Sequence, residues 1–530
     1  MIYRSPAPDV PIPDVSLPAY VLERIAAWGD KPALIDAPSG RTLTYRALGK
    51  AIRACAAGLT REGFRPGDVL AIVSPNLPEY AVAFYGAALA GGTTTTANPV
   101  HTEEELARQL ADAGARFLVT VGAVLDKARA AAERAGVERM FTFDGAADSE
   151  PFAALLAGGG APPTVTIDPA RDVVVLPYSS GTTGLPKGVM LTHRNLVANL
   201  CQIAGAADSS GYDETDTVAA VLPFFHIYGM VVLMSYAVVC GCTVVTLPHF
   251  ELEPFLATVQ AHRVTRAALV PPIVVALAKH PAVERYDLSS LRVLGCGAAP
   301  LGREVAEAAT RRLGCPVLQG FGLTETSPAT HVQPDRPGLA RPGTVGRLVP
   351  NTEMRLVDPV TGQDAPPGGR GEVWIRGPQV MKGYHNQPEA TAATLTPDGW
   401  LRTGDVGTID ADGYTSIVDR LKELIKYKGY QVAPAELEAL LLAHPAVADA
   451  AVIPSPDEEA GEVPKAFVVL RAGAGLAPEA LLEWVAERVA PYKRVRRLAI
   501  VEQIPKSASG KILRRVLIEQ ERLANTTRQT

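Results

Sequence analysis

Cysteine is scarce in this chain, six residues among 530. Cys55, Cys201, Cys240, Cys242, Cys296 and Cys315 form no Cys-x-x-Cys pair and have no histidines at metal-finger spacing. A disulfide scaffold and a zinc ribbon are excluded, and reduced, mostly buried thiols suited to the cytoplasm are expected. A surplus of one charge is missing too: 51 Lys and Arg stand against 56 Asp and Glu, a net charge of −5. No polyanion-attracting field follows, so no nucleic-acid partner is expected, and the basic stretch 492–497 reads as a solvated strand edge. The N-terminus, MIYRSPAPDVPIP, has no basic region followed by an apolar run, so nothing there resembles a secretion signal and none is expected. A membrane span is lacking as well. Residues 217–250 contain no Asp, Glu, Lys or Arg, but Pro223, His226, Gly229, Gly241 and Pro248 interrupt them. That segment reads as buried strands around a short helix.

What is present is ample apolar material, 47% of residues against 20% charged, in a chain long enough for two to four domains or subdomains. Short Val/Ile/Leu runs alternate with amphipathic segments, which predicts an α/β fold of mostly parallel sheets covered by helices. Helices are expected at 45–60, 77–90, 104–112, 253–262, 273–279 and 303–313. Strands are expected at 69–74, 93–97, 117–120, 172–176, 267–270 and 292–294. From Arg341 the texture changes: Gly and Pro become dense, and 353–357 and 371–376 alternate apolar with polar residues, which suits half-exposed antiparallel strands. The reading is a large N-terminal domain, 1–420, with a small antiparallel β subdomain at about 341–419. A small, mobile α/β C-terminal domain, 421–530, follows a hinge near Lys422, with helices at 435–442 and 481–489 and strands at 447–453 and 466–470.

The strongest local signal is Tyr178-Ser179-Ser180-Gly181-Thr182-Thr183-Gly184-Leu185-Pro186-Lys187-Gly188, directly after a buried strand. Glycines let backbone N–H groups approach an anion, hydroxyls add donors and Lys187 adds a mobile positive charge, a combination suited to polyphosphate. The Gly-x4-Gly-Lys-Ser/Thr loop is a different pattern, because Gly184 is followed here by Leu-Pro-Lys-Gly and a strand at 189–192. The segment resembles the phosphate loop of the adenylate-forming superfamily of acyl-CoA synthetases, peptide-synthetase adenylation domains and beetle luciferases. Four further segments resemble that superfamily's motifs in order. They are Gln319-Gly320-Phe321-Gly322-Leu323-Thr324-Glu325; Gly399-Trp400-Leu401-Arg402-Thr403-Gly404-Asp405; Asp419-Arg420 with the run 422–429; and Pro505-Lys506-Ser507-Ala508-Ser509-Gly510-Lys511. Within the superfamily, Phe224-Phe225-His226-Ile227-Tyr228-Gly229, Gly297-Ala298-Ala299-Pro300 and 422–438 resemble 4-coumarate:CoA ligases.

The resemblance implies a two-step reaction. A carboxylic acid attacks the α-phosphorus of ATP and expels pyrophosphate, leaving acyl-AMP; coenzyme A then takes the acyl group and AMP departs. It implies nucleotide contacts from Ser179, Ser180, Gly181, Thr182, Thr183, Lys187, Ala298, Gln319, Gly320, Thr324, Asp405, Arg420 and Lys422, with Glu325 a ligand of Mg²⁺. It implies catalytic roles for Lys511 in the first step and for Lys426 and Gln431 after rotation about Lys422, with His226 between acid pocket and thiol channel. Lys428, Gly429 and His249 would meet CoA. His249 stands where plant enzymes carry a CoA-contacting lysine.

The acid pocket implied is Tyr228, Gly229, Val232, Gly295, Gly297, Gly322, Pro328 and Ala329, small and apolar. With no Arg or Asp among these positions, an amino acid's ammonium finds no partner. An aryl-propenoate of the cinnamate or 4-coumarate type is therefore expected. Medium-chain fatty acids, or loading of a separate carrier protein, are the alternatives. Gly295 stands where some plant enzymes have a lysine that reaches the ring hydroxyl, so that donor is absent here. The motifs do not fix whether the protein is a monomer or a homodimer.

Overall fold

The structure is a computed structural model that describes every residue except 180–185, 207, 208, 210, 337, 429, 458, 508, 509 and 530, and for 524–529 the backbone alone. Its frame is two large sheets facing a shared layer of helices. Thr44 starts one helix, Tyr45–Arg61, by accepting the N–H of Ala47, and Leu48, Ile52, Cys55 and Leu59 turn inward from it. The next helix, Pro78–Leu89, is buried on nearly every side, as a helix held between sheets must be. The two meet at Gly86, where a Cβ would lie 2.5 Å from Cys55 Sγ, so the contact depends on glycine. The cysteines are free thiols.

Among the described residues the first sheet has eight strands and the second nine. In the first, Val173–Ser179, Thr93–Ala97, Val69–Val73, Ala115–Thr120 and Arg139–Thr142 run parallel, while Lys187–Thr192 returns antiparallel beside Val173–Ser179. In the second, Val317–Gly322, Val293–Cys296, Arg266–Leu269, Thr217–Ala220 and Thr243–Thr246 run parallel. Thr217–Ala220 and Thr243–Thr246 come from the uncharged segment 217–250, so its apolarity is that of strands covered on both faces. No helix of the described residues is long and apolar enough to cross a membrane.

A third, antiparallel sheet contains Glu353–Val357, Gly371–Arg376, Leu401–Ile409 and Thr415–Arg420. Its outer strand comes from outside the expected 341–419: Tyr3–Arg4 pairs with Glu353 and Met354. Two residues carry no periodicity, so nothing in the chain's pattern announces this strand. The C-terminal sheet holds Ile425–Tyr427, Tyr430–Val432, Val447–Asp457, Gly461–Leu470 and Arg497–Ile500, with a core of its own around Leu437, Val452, Val468 and Leu481. Its central hairpin is longer than the runs 447–453 and 466–470, because Pro454 pairs with Pro464 and the ladder continues past them.

Candidate active site

Strands of both large sheets end at one cleft of about 2480 Å³, which the C-terminal domain closes. Carboxyl ends of parallel strands are where open α/β sheets bind ligands. Ser179 and Lys187 face each other across the two strands that flank the phosphate loop. Ser180, Gly181, Thr182 and Thr183 lie outside the described residues. Lys187 Nζ sits 4.8 Å from the centre of the Tyr384 ring, and the Tyr384 hydroxyl donates to Glu325 Oε1 at 2.9 Å. Tyr384 thus links the loop lysine to the candidate metal carboxylate. Nothing in the sequence distinguished it from the other tyrosines. Gln319, Gly320, Thr324 and Ala298 line the same cleft. Gln319 Oε1 accepts the Leu301 N–H at 3.2 Å, and Ala298 is held at φ +69°, a conformation costly for a residue with a Cβ.

Asp405 is the site's most telling group. It is buried, with Oδ1 3.2 Å from Arg420 Nε, while Oδ2 has no hydrogen-bond partner among the described residues. Burial pushes its carboxyl up to about 6, against the pull of Arg420. A buried carboxylate oxygen left without a donor is costly unless a ligand supplies one. Lys422 stands exposed on the turn just beyond and lines the cleft. Among the described residues no cluster of three or more His, Cys, Asp and Glu suits a metal ion. Glu325 alone fits the way Mg²⁺ is usually carried, on substrate phosphates with one or two carboxylates.

Lys511 enters from the C-terminal domain and lines both the cleft and a smaller cavity beneath it. Its loop is pressed on the N-terminal domain: a Cβ on Gly510 would lie 2.9 Å from Val270 Cγ2. Burial and the Arg420 charge lower the ammonium pKa, and Glu325, Asp405 and Glu423 oppose that shift. His226 also borders both spaces. Burial, with Lys511 nearby, holds its pKa at about 3, and its Nδ1 accepts the Tyr228 N–H at 3.3 Å. The ring is therefore neutral with its hydrogen on Nε2, a donor and not a base.

The smaller cavity, about 190 Å³, is lined by Tyr228, Val232, Gly295, Gly297, Gly322, Pro328 and Ala329. Gly229 does not line it: a Cβ there would lie 2.1 Å from the Pro223 carbonyl oxygen, so this glycine makes room for the turn that precedes its own helix. Nor is the lining wholly apolar. Arg266 and Asp335 belong to it. The expected strand began at Ala267, whereas the observed one begins at Arg266.

The CoA-side residues are not gathered at the cleft. Lys426 pairs across a hairpin with Gln431, both exposed and outside both cavities. Lys428 is paired with Glu459, and Gly429 lies outside the described residues. His249, whose side chain is 67% exposed, pairs with Glu251 at 2.6 Å and borders neither cavity.

A large cleft at the strand ends, joined by a lysine from the C-terminal domain, suits the chemistry of an adenylate-forming enzyme. The chain belongs to the AMP-binding enzyme family, whose model matches residues 21–385, with the family's C-terminal domain at 436–511. It is 46% identical to 4-coumarate--CoA ligase 5 of Oryza sativa subsp. japonica, over 97% of this chain and 96% of that protein. Its fold is similar to that of an anthranilate CoA ligase solved with anthranoyl-AMP, with a TM-score of 0.90, 26% identity, and coverage of 98% and 99% of the two chains. It is also similar to ATP-bound MatB of Rhodopseudomonas palustris, with a TM-score of 0.85, 29% identity, and coverage of 96% and 99%.

Proposed function

We propose that the protein is an ATP-dependent acid:CoA ligase acting on an aryl acid of the cinnamate or 4-coumarate type. The observation that carries this reading is Lys511, seated where the cleft of Asp405 and Arg420 meets the acid cavity. In the first step a carboxylate oxygen bonds to the α-phosphorus of ATP, and the bond to the bridging oxygen of pyrophosphate breaks. The barrier is largely repulsion between anions, so cations placed in advance lower it most. Lys511 would meet charge developing at the α-phosphate, and Lys187 would meet the departing pyrophosphate. Asp405 would accept the ribose hydroxyls, with Arg420 holding the carboxylate in place. Glu325 would hold Mg²⁺, which when bound offsets phosphate charge. Neutral His226 would donate from Nε2 to an oxygen of the bound acid or its adenylate.

In the second step the CoA thiol gives up its proton to solvent, its sulfur bonds to the acyl carbon, and AMP leaves with the pair of electrons from the anhydride bond. Lys426, Gln431, Lys428 and Gly429 would reach the cleft for this step by rotation of the C-terminal domain about Lys422. Binding of the anhydride deep in the cleft would keep water from it in the interval. An acid panel tests the reading: cinnamate, 4-coumarate, benzoate, octanoate and phenylalanine, assayed for AMP release with ATP and Mg²⁺, with and without CoA. CoA-dependent turnover of the cinnamates is expected. Turnover of octanoate alone moves the assignment to fatty acids, and acyl-AMP formation without CoA consumption moves the acceptor to a carrier protein.

A further inference from the structure

Glu325, the carboxylate read above as the holder of Mg²⁺, is fixed twice by one short segment. Met381 donates its backbone N–H to the Glu325 carbonyl at 2.9 Å, and the Tyr384 hydroxyl donates to Glu325 Oε1, also at 2.9 Å. Both Glu325 and Tyr384 are buried, and both line the cleft. The place of Tyr384 is set by the strand that follows the phosphate loop. Gly383–Tyr384 runs antiparallel to Lys187–Thr192, with Tyr384 opposite Val189. Residues two apart on a strand share a face, and directly opposed residues do too. The ring therefore comes up beside Lys187, with Nζ 4.8 Å from its centre. On the other side the helix Pro388–Thr394 closes in. Thr391 Oγ1 accepts the Tyr384 N–H at 2.9 Å, and a Cβ on Gly383, held at φ +149°, would lie 2.9 Å from Thr391 Cγ2. Glycine at 383 is what lets that helix pack so close.

A tyrosine suits this position for three reasons. Burial, with the Glu325 charge beside it, raises the pKa of its hydroxyl, so the group stays a donor. Thr394 hydrogen-bonds the same hydroxyl and favours its ionised form, so Thr394 is the donor there and the single phenolic proton is left for Glu325. A carboxylate that ligates a cation needs a partner to orient it, and a neutral donor does so without cancelling its charge. An ammonium or guanidinium in the same place would pair with Glu325 and compete with the metal. The cation that does stand nearby, Lys187, lies over the ring, whose face attracts it. One side chain thus supports the lysine and the carboxylate together and keeps the first from occupying the second.

Resting on the reading that Glu325 holds Mg²⁺ in the first step, we infer that Tyr384 is a positioning residue for that step. Its hydroxyl sets the Glu325 carboxylate for the cation carried on the ATP phosphates, and its ring keeps Lys187 alongside without pairing it to that carboxylate.

The test is equilibrium binding of ATP to the full chain, measured by calorimetry with saturating Mg²⁺ and again with Mg²⁺ chelated, in the absence of acid and CoA. Mg²⁺ is expected to tighten ATP binding to the wild type, and Tyr384→Phe to cut that gain by about tenfold. Binding without Mg²⁺ should stay within about twofold of wild type, because the ring and its contact with Lys187 remain. Tyr384→Phe keeps the volume of the side chain and so the packing around it. Placed on Glu325→Gln it should cost nothing further, since it acts through that carboxylate. A gain lost in Glu325→Gln but kept in Tyr384→Phe leaves the metal reading standing and overturns the inference. So does equal weakening with and without Mg²⁺, the mark of a merely structural tyrosine, or a further loss in the double variant. If Mg²⁺ gives the wild type no gain, or Glu325→Gln keeps the whole of it, the metal reading falls and the inference with it.

Discussion

Lys511 and Lys426 belong to one small domain and stand in opposite surroundings. Lys511 is wedged in the cleft, its loop packed on Val270 and its ammonium desolvated among Arg420, Glu325 and Asp405. Lys426 is exposed on a hairpin outside both cavities, its backbone N–H donating to Glu462 at 2.8 Å. The C-terminal core carries the Lys426 strand, and Arg514, three residues after Lys511, is bound to Glu438 of that domain at 2.7 Å. One body therefore holds both lysines. If Lys426 is to reach the acyl group as proposed, Lys511 must withdraw, and with it the bond from Lys279 to the Leu442 carbonyl, 2.6 Å, that crosses to the N-terminal domain. On the reading proposed above, the contrast would fit this arrangement to adenylation and leave thioester formation to another.

The sharpest way to break the comparison is to remove each lysine and measure the half-reactions apart. Lys511→Ala is expected to slow acyl-AMP formation by about 10²- to 10³-fold, the scale of losing one well-placed charge at a transition state. Preformed acyl-AMP should still react with CoA at close to the wild-type rate. Lys426→Ala should do the reverse more weakly, slowing thioester formation by about tenfold because an exposed cation is less fixed before the reaction. Pyrophosphate release monitored without CoA, and thioester formation from supplied acyl-AMP, separate the two. Similar losses in both halves for either variant would sink the division of labour.

The same contrast explains what could be read in advance. Thr93–Ala97, Arg303–Leu313, Glu353–Val357 and Gly371–Arg376 fall at their expected bounds because each has a clean period and a turn at either end. That Lys511, Asp405 and Glu325 share one cleft was legible because they stand in motifs of fixed order. Proximity without local pattern was not legible. Tyr384 joins Lys187 to Glu325 through the fold alone, and Arg266 looked like the flank of a strand. Gly229 misled for the opposite reason. It sits inside a motif, yet its missing side chain makes room for the Pro223 carbonyl.

The smallest expected effect concerns Asp405, proposed above to hold the ribose. Its carboxyl is raised by burial to about 6, above the ordinary 3.8 of an aspartate. The folded protein thus holds this proton more tightly than the unfolded chain. The stability it contributes is present in acid and is lost as pH rises through about 6. Ribose binding wants the other form, since only the carboxylate offers both oxygens as acceptors to two hydroxyls. KM for ATP should be level above about pH 7 and rise below about pH 6, approaching tenfold per unit, with kcat at saturating ATP changing less. Asp405→Asn should raise KM for ATP at neutral pH and flatten this dependence. The nucleotide titrates alike with both proteins, so the difference between the two profiles isolates the aspartate. Parallel profiles would mean that the unpartnered oxygen of Asp405 does not meet the ribose.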